Sequence, residues 1–235
     1  MARVRRLAPF AATLVAAVVA VGCSADPAPS RPSPSARPPA TPLPSAPQSS
    51  SPTATGSPSV APNLPEPRRS FLTIPRLGLR DYPVIRYRGS PDDAEGTRLQ
   101  NDGSLASPRG ATGGEGPGEI GNYIVTGHRL SSTEPFRYLP SLANGSRVWV
   151  RVGSFVHVYE VRRTRETSFR SRKSLSAQRA PVPGKPGVVA TRPMITLSTC
   201  ATIEDHAAGN YWADEFDNPE HRIDKIGVLV AVGPS

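Results

Sequence analysis

Three short runs in this sequence set chemically versatile side chains at or near the ends of apolar, β-prone stretches. IGNYIVTGHR puts His128 behind a glycine, MITLSTC ends on Cys200, and PEHRIDKIGVLVAV places Arg222 shortly before a third such stretch. Strand ends, where loops meet a rigid scaffold, are common places for catalysis. A thiol attacks well only as thiolate, which a nearby cation favours. His128 can supply that charge and later protonate a leaving amine as general acid. Attack on an amide creates an oxyanion that needs a positioned donor, and Arg222 keeps its charge at any working pH. A thioacyl intermediate, released by an amine or by water, completes this chemistry. Each residue alone has an ordinary explanation: a small buried hydrophobe for Cys200, a satisfied polar group for His128, a surface contact for Arg222. Arg222 is nevertheless the only arginine after Cys200. His157 falls within an alternating run, and His206 and His221 lie in a polar stretch; these three read as structural or solvent-facing.

The elements that must carry these groups are strands. From Ser70 onward short β-rich runs alternate with turn signals: Phe71–Ile74, Tyr82–Ile85, Tyr123–Thr126, Val148–Val152, Phe155–Val161, Val188–Thr191, Met194–Thr199 and Ile226–Val232. Gly and Pro clusters such as GATGGEGPGEIG and PVPGKPG separate them. No long amphipathic helical repeat occurs, and Glu134–Leu142 predicts one short helix. The pattern predicts an all-β domain over residues 69–235, a closed or nearly closed β-barrel with one or two short helices.

The preceding residues are of a different kind. Arg3, Arg5 and Arg6 lead an uncharged Ala/Val/Leu run, Leu7–Gly22, in the manner of an export signal over residues 1–23. At about 1.5 Å per residue this run makes a short span for a bilayer. It closes on Ala20-Val21-Gly22-Cys23, which resembles a bacterial lipobox with Cys23 as the lipidated residue; an uncleaved signal anchor is the alternative. Either one tethers the domain to the extracytoplasmic face of a cell membrane. Residues 24–68 are Pro, Ser, Ala and Thr with almost nothing large and apolar, a composition that predicts a disordered, extended stalk. The chain has 28 prolines, half of them in this part, and two cysteines, too few for a disulfide framework. The net charge of +9 is spread over single basic residues without a nucleic-acid motif, which favours an anionic envelope over nucleic acid as surroundings.

The same residues resemble the sortase family. Its nucleophile signature TLxTC is matched by Thr196-Leu197-Ser198-Thr199-Cys200, and its histidine motif by Gly121-Asn122-Tyr123-Ile124-Val125-Thr126-Gly127-His128-Arg129. Arg222 falls where the family's arginine opens the last strand. IPRLGL near Ile74 and PFRYLPSLANGSRVWV are weaker matches, and the likeness runs from about Phe71 onward. It implies an eight-stranded barrel, no cofactor and no metal needed for the chemistry, and cleavage of a C-terminal sorting signal between Thr and Gly. The acyl group passes to an amine of a peptidoglycan precursor or of a pilin, the signal-bearing partners being surface proteins or pilins. It also implies a part for Thr199 in holding substrate or oxyanion; a monomer is expected, without a sequence feature that fixes the oligomeric state. Composition and signature together are most similar to the class E sortases of high-GC Gram-positive bacteria.

Two departures leave the subclass and the signal, LPxTG or LAxTG, open. Thr202 stands where many actinobacterial relatives carry Pro, and residues 201–221 form a long stretch holding Tyr211, Trp212 and Phe216, read as a cover over the barrel edge or a specificity element. A calcium site before the cysteine strand finds only Glu166 as a carboxylate between Arg162 and Arg192. An L,D-transpeptidase expects Gly, not Thr199, before its cysteine, and a papain-like peptidase expects the cysteine ahead of the histidine. From another class, a non-catalytic envelope lipoprotein that binds an anionic wall polymer fits the leader, stalk and charge, but leaves His128, Cys200 and Arg222 unexplained.

Overall fold

The strands run β1 (Arg69–Ile74), β2 (Leu79–Arg88), β3 (Leu105–Arg109), β4 (Gly121–Thr126), β5 (Arg147–Val152), β6 (Phe155–Ser168), β7 (Pro193–Cys200) and β8 (His221–Pro234) in the computed structural model, which describes residues 69–235. They close into a barrel in the order β1-β2-β3-β4-β7-β8-β6-β5. The signal-like segment with Cys23 and the Pro-rich stretch lie outside the described residues. No helix among the described residues is long and apolar enough to cross a membrane.

Local chemistry sets the corners. Pro75–Leu77 forms a single 3-10 turn, stopped by Gly78 at φ 72, whose N–H donates to the Pro75 carbonyl at 3.0 Å. This returns the chain so that Ile74 pairs with Leu79. β5 and β6 join through Gly153-Ser154, with Gly153 at φ 55, the positive value a two-residue hairpin needs. β2 with β3 and β4 with β7 pair in parallel, so each requires a crossover rather than a hairpin. Helix α1 (Ala94–Asn101) fills the first, capped by the Asp93 carboxylate accepting from Gly96 N–H at 2.9 Å. The second carries β5, β6 and α2 (Arg172–Arg179); α3 (Thr202–Ala207) follows β7.

Side-chain alternation divides each strand between two faces. Tyr123 and Val125 of β4 and Ile195 and Leu197 of β7 enter the barrel interior with Leu72, Leu105, Phe136, Val148 and Val150. The intervening positions face outward yet stay buried, because helices and connections cover them. Ile85, Tyr87 and Ala106 pack under Leu99 of α1, and Met194, Ile226 and Val228 pack under Val182. Asn122 belongs to this outer set. Its side-chain amide donates to the carbonyls of Gln178 (2.8 Å) and Ala180 (3.2 Å) and accepts from Thr196 Oγ1 (2.8 Å), tying β4, β7 and the end of α2 together.

The all-β closed barrel expected from the sequence is present, with differences in detail. Val188–Thr191 is not a strand; it leaves the Pro/Gly turns without pairing, and Val189 is 82% exposed. Glu134–Leu142 is not a continuous helix: only Leu139–Ser141 makes a 3-10 turn, since Pro140 has no N–H and crowds the preceding turn. Short helices are present as expected, but β3 and the positions of α1, α2 and α3 had not been foreseen. Substituting Asn122 by Ala leaves two carbonyls and a threonine hydroxyl buried without their partner. A loss of about 2–3 kcal/mol of stability is expected, read as a lower thermal midpoint.

Candidate active site

The antiparallel register of β7 and β8 sets Cys200 directly opposite Arg222. Ala201 N–H donates to the His221 carbonyl at 2.9 Å, so Cys200 and Arg222 are a non-hydrogen-bonded pair, the kind in which Cα atoms approach to about 4.5 Å and side chains share a face. That face is the outer one, since Cys200 has the parity of Met194 and Arg222 that of Ile226 and Val228. Arg222 is 1% exposed. The Phe169 ring covers it at 4.1 Å from the guanidinium carbon, a stacking contact suited to a weakly hydrated planar cation. Cys200 is a free, half-buried thiol.

His128 reaches the same outer face from β4, two residues past the strand. The glycine before it is required by packing: a Cβ on Gly127 would stand 2.3 Å from Leu105 Cδ2 and 2.9 Å from Phe136 Cδ2, both in the filled interior. His128 Nε2 hydrogen-bonds Asn101 Oδ1 of α1 at 2.7 Å. A cavity of about 360 Å³ brings the groups together; His128, Cys200, Asn101, Thr97, Phe216 and Asn218 are among its lining residues. Arg222, directly across the ladder from Cys200, is not among the lining residues. Arg129 caps one side, its guanidinium paired with Glu204 of α3 and its Nη1 donating to the Cys200 carbonyl at 3.2 Å. His221 and Asp205 tie α3 to the start of β8, with Nδ1 and Oδ1 2.6 Å apart.

Of the residues singled out in the sequence, Cys200, His128 and Arg222 meet here. Thr199 is placed differently: it lies on the interior face with Ile195 and Leu197, and its hydroxyl donates to the Gly127 carbonyl at 2.7 Å, bracing the turn into His128. The 201–221 stretch does more than cover an edge, because Phe216, Asp217 and Asn218 line the cavity. Sequence reasoning missed Asn101 and Asp92. Asp92 Oδ2 accepts from Arg222 Nε at 3.0 Å, across a sequence separation of 130 residues. No local signal announces such a partner.

Burial dominates the titrations. It pushes the Cys200 thiol up, against the opposing pull of Arg222. It pushes His128 down, with Asp92 opposing and Arg222 reinforcing. Thiol and imidazole are therefore both neutral in the resting site at neutral pH, and the thiolate–imidazolium pair is the minor form. Beneath them Asp224 is fully buried and accepts from Thr167 Oγ1 (2.6 Å) and Gln178 Nε2 (3.0 Å); burial raises its carboxyl despite these bonds.

A family model described as the sortase domain matches residues 72–213. The chain belongs to the sortase family. The matched stretch contains His128 and Cys200 and ends before Arg222. Among solved structures, sortase E from Streptomyces avermitilis is similar at 23% identity and a TM-score of 0.51, over 72% of this chain and 91% of that one. Sortase E1 from Streptomyces coelicolor, solved with a tripeptide in its active site, gives 23% and 0.52, over 71% and 90%. The SrtA sortase from Actinomyces oris gives 18% and 0.54, over 77% and 89%. At these identities the likeness is one of fold. No curated protein matches the sequence. As a sortase the protein is a cysteine transpeptidase, and the non-catalytic wall-polymer binder is set aside.

The thiol's surroundings can be checked directly. Iodoacetamide alkylation of Cys200 followed against pH is expected to have its midpoint above 9.0, because burial raises this thiol. Arg222→Gln removes the opposing cation and moves the midpoint higher still.

Proposed function

We propose that Cys200, His128 and Arg222 carry out acyl transfer from a C-terminal sorting signal of the LPxTG or LAxTG kind to an amine. The observation that carries this reading is the register pair Cys200–Arg222 beside a cavity that His128 also lines. The Cys200 sulfur, its proton passed to His128, attacks the carbonyl carbon of the signal's Thr-Gly bond. A C–S bond forms and the carbonyl π pair moves to oxygen, where the Arg222 guanidinium stabilises it. Collapse breaks the C–N bond, and His128 gives its proton to the departing glycine amine. An incoming amine then attacks the thioester, loses its proton to His128, and expels the Cys200 thiolate, which is reprotonated.

The acceptor is an amine of a peptidoglycan precursor or of a pilin lysine, and the donor a surface protein or pilin bearing the signal. The class E relationship rests on the sequence signature and composition; the fold likeness to Streptomyces sortases is in keeping with it. We place the catalytic domain at residues 69–235 on the extracytoplasmic face, held by the N-terminal segment through Cys23 lipidation or as a signal anchor, and acting as a monomer. The donor set of Cys, His and Arg needs no metal for this chemistry.

Incubation with LPxTG and LAxTG peptides, followed by intact mass, tests the reading. A thioacyl adduct on the wild-type protein, absent in Cys200→Ala and discharged by an added amine, is the expected result; no adduct with either peptide would refute it. Arg222→Ala is expected to lower kcat by at least ~100-fold, the scale of losing an oxyanion donor. The reactive ion pair is a constant fraction of the singly deprotonated site between the two titrations. The pH profile of kcat/KM should therefore be broad, with its acid limb below 6.5, set by His128, and its alkaline limb above 9.0, set by Cys200.

A further inference from the structure

Arg222 lies almost out of reach of water, and its hydrogen bonds are few. Nε donates to Asp92 Oδ2 at 3.0 Å, and Nη1 reaches the Pro219 carbonyl at 3.5 Å. Nη2 is buried and has no partner among the described residues. Phe169 closes one face of the plane. The guanidinium is thus held at its Nε side and by stacking, with one nitrogen left for something that arrives later.

Asp92 is itself fixed from several directions. It is 6% exposed and sits at φ 59, left-handed backbone that Asp tolerates better than most residues. Its second oxygen accepts from Gln100 Nε2 of α1 at 2.8 Å, and the same amide donates to Thr126 Oγ1 at 3.1 Å, two residues before His128. Its backbone carbonyl is reached by Thr97 Oγ1 at 3.4 Å and Asn218 Nδ2 at 3.5 Å, both from cavity-lining residues. Through its carboxylate and its backbone carbonyl, one residue therefore links the Arg222 strand, α1 and the 213–218 stretch, and through Gln100 the His128 strand. A buried ion pair is weak evidence for stability, because desolvation offsets much of its attraction. Its geometric value is greater: it fixes a cation whose position otherwise rests mainly on stacking.

We propose that Asp92 is a positioning residue for acyl transfer, its carboxylate locking the Arg222 guanidinium so that the unpartnered Nη2 is ready for the oxyanion beside Cys200. This rests on the reading of Arg222 as the oxyanion donor. Asp92 touches no reacting atom; its bond is to Arg222, and it reaches Cys200 and His128 only through its charge. The charged groups facing Cys200 and Arg222 are Asp92 from the β2–α1 connection, His128 and Arg129 after β4, the latter paired with Glu204, and Asp214 ahead of β8. Of these carboxylates, Asp92 is the one bonded to the guanidinium.

The test combines kinetics with thiol titration in the full chain. Asp92→Asn keeps the shape and suits the left-handed backbone, but removes the charge. It is expected to lower kcat by about 100-fold, the cost of a misplaced group, with KM nearly unchanged. Its iodoacetamide midpoint for Cys200 should fall to lower pH, because one of the negative charges that oppose Arg222 at the sulfur is gone. A slower enzyme with a more acidic thiol is a combination that loosened packing alone would not produce. In an Arg222→Ala background, Asp92→Asn should cost nothing further. Should the Asn variant fail to fold, Asp92→Gly, at ease at this φ, opens a site for a small carboxylate, and added formate should restore turnover. Wild-type kcat in a folded Asp92→Asn protein alongside an inactive Arg222→Ala protein overturns the role of Asp92 alone. So do multiplicative losses in the double variant, absence of formate rescue, or a rise in kcat, which would mark the pair as a lock. Full activity of Arg222→Ala would instead remove the reading on which the role depends.

Discussion

A guanidinium held almost out of water is the constraint from which the arrangement of this site follows. A buried cation is tolerated only where something returns the solvation it has lost. Here three kinds of group share that work: the Asp92 carboxylate on Nε, the Phe169 ring on the flat face, and the Pro219 carbonyl near Nη1. Each comes from a different connection, so the connections flanking α1, β6 and β8 converge on one residue. The cation in turn faces the thiol across a β-ladder whose register cannot slip by one residue without turning Arg222 into the filled interior.

The outer face of the barrel wall carries the chemistry, and the inner face carries the stability. Tyr123, Val125, Ile195 and Leu197 fill the interior, while their neighbours Asn122, Thr126, Thr196, Ser198 and Cys200 form a polar strip under helices and connections. The quoted signature residues divide along the same line. Thr196 and Asn122 bond to each other, Ser198 accepts from Gln178, and Thr199, on the other face, secures the Gly127 carbonyl. Much of the signature is thus concerned with aligning β4 and β7, which sets Cys200 and His128 at one cavity.

The barrel was legible because strands buried on the inside announce themselves as apolar β-rich runs, and those of β4 and β7 are strong. β3 was not, since Pro108 in LASPR argues against a strand; the pairing with β4 is confined to Ala106 and Thr126, and Pro108 lies beyond it. α1 escaped because its buried face is Gly96, Leu99 and Gln100, in which a single apolar residue leaves no helical periodicity. His128 and Cys200 were legible from their places at strand ends, and Arg222 chiefly as the one arginine after the cysteine. Asp92 could not be read: beside Asp93, which does cap α1, it looks like part of a helix start, and its partner is fixed by a ring closure far along the chain.

β8 lies between β7 and β6 in the ring and brings Arg222 with it. A molecule in which this strand has not yet docked has an open barrel and, by the same omission, a thiol without a counter-charge. The finished site therefore depends on a single segment: until it docks, the sulfur lacks both its cross-strand cation and the burial that raises its titration.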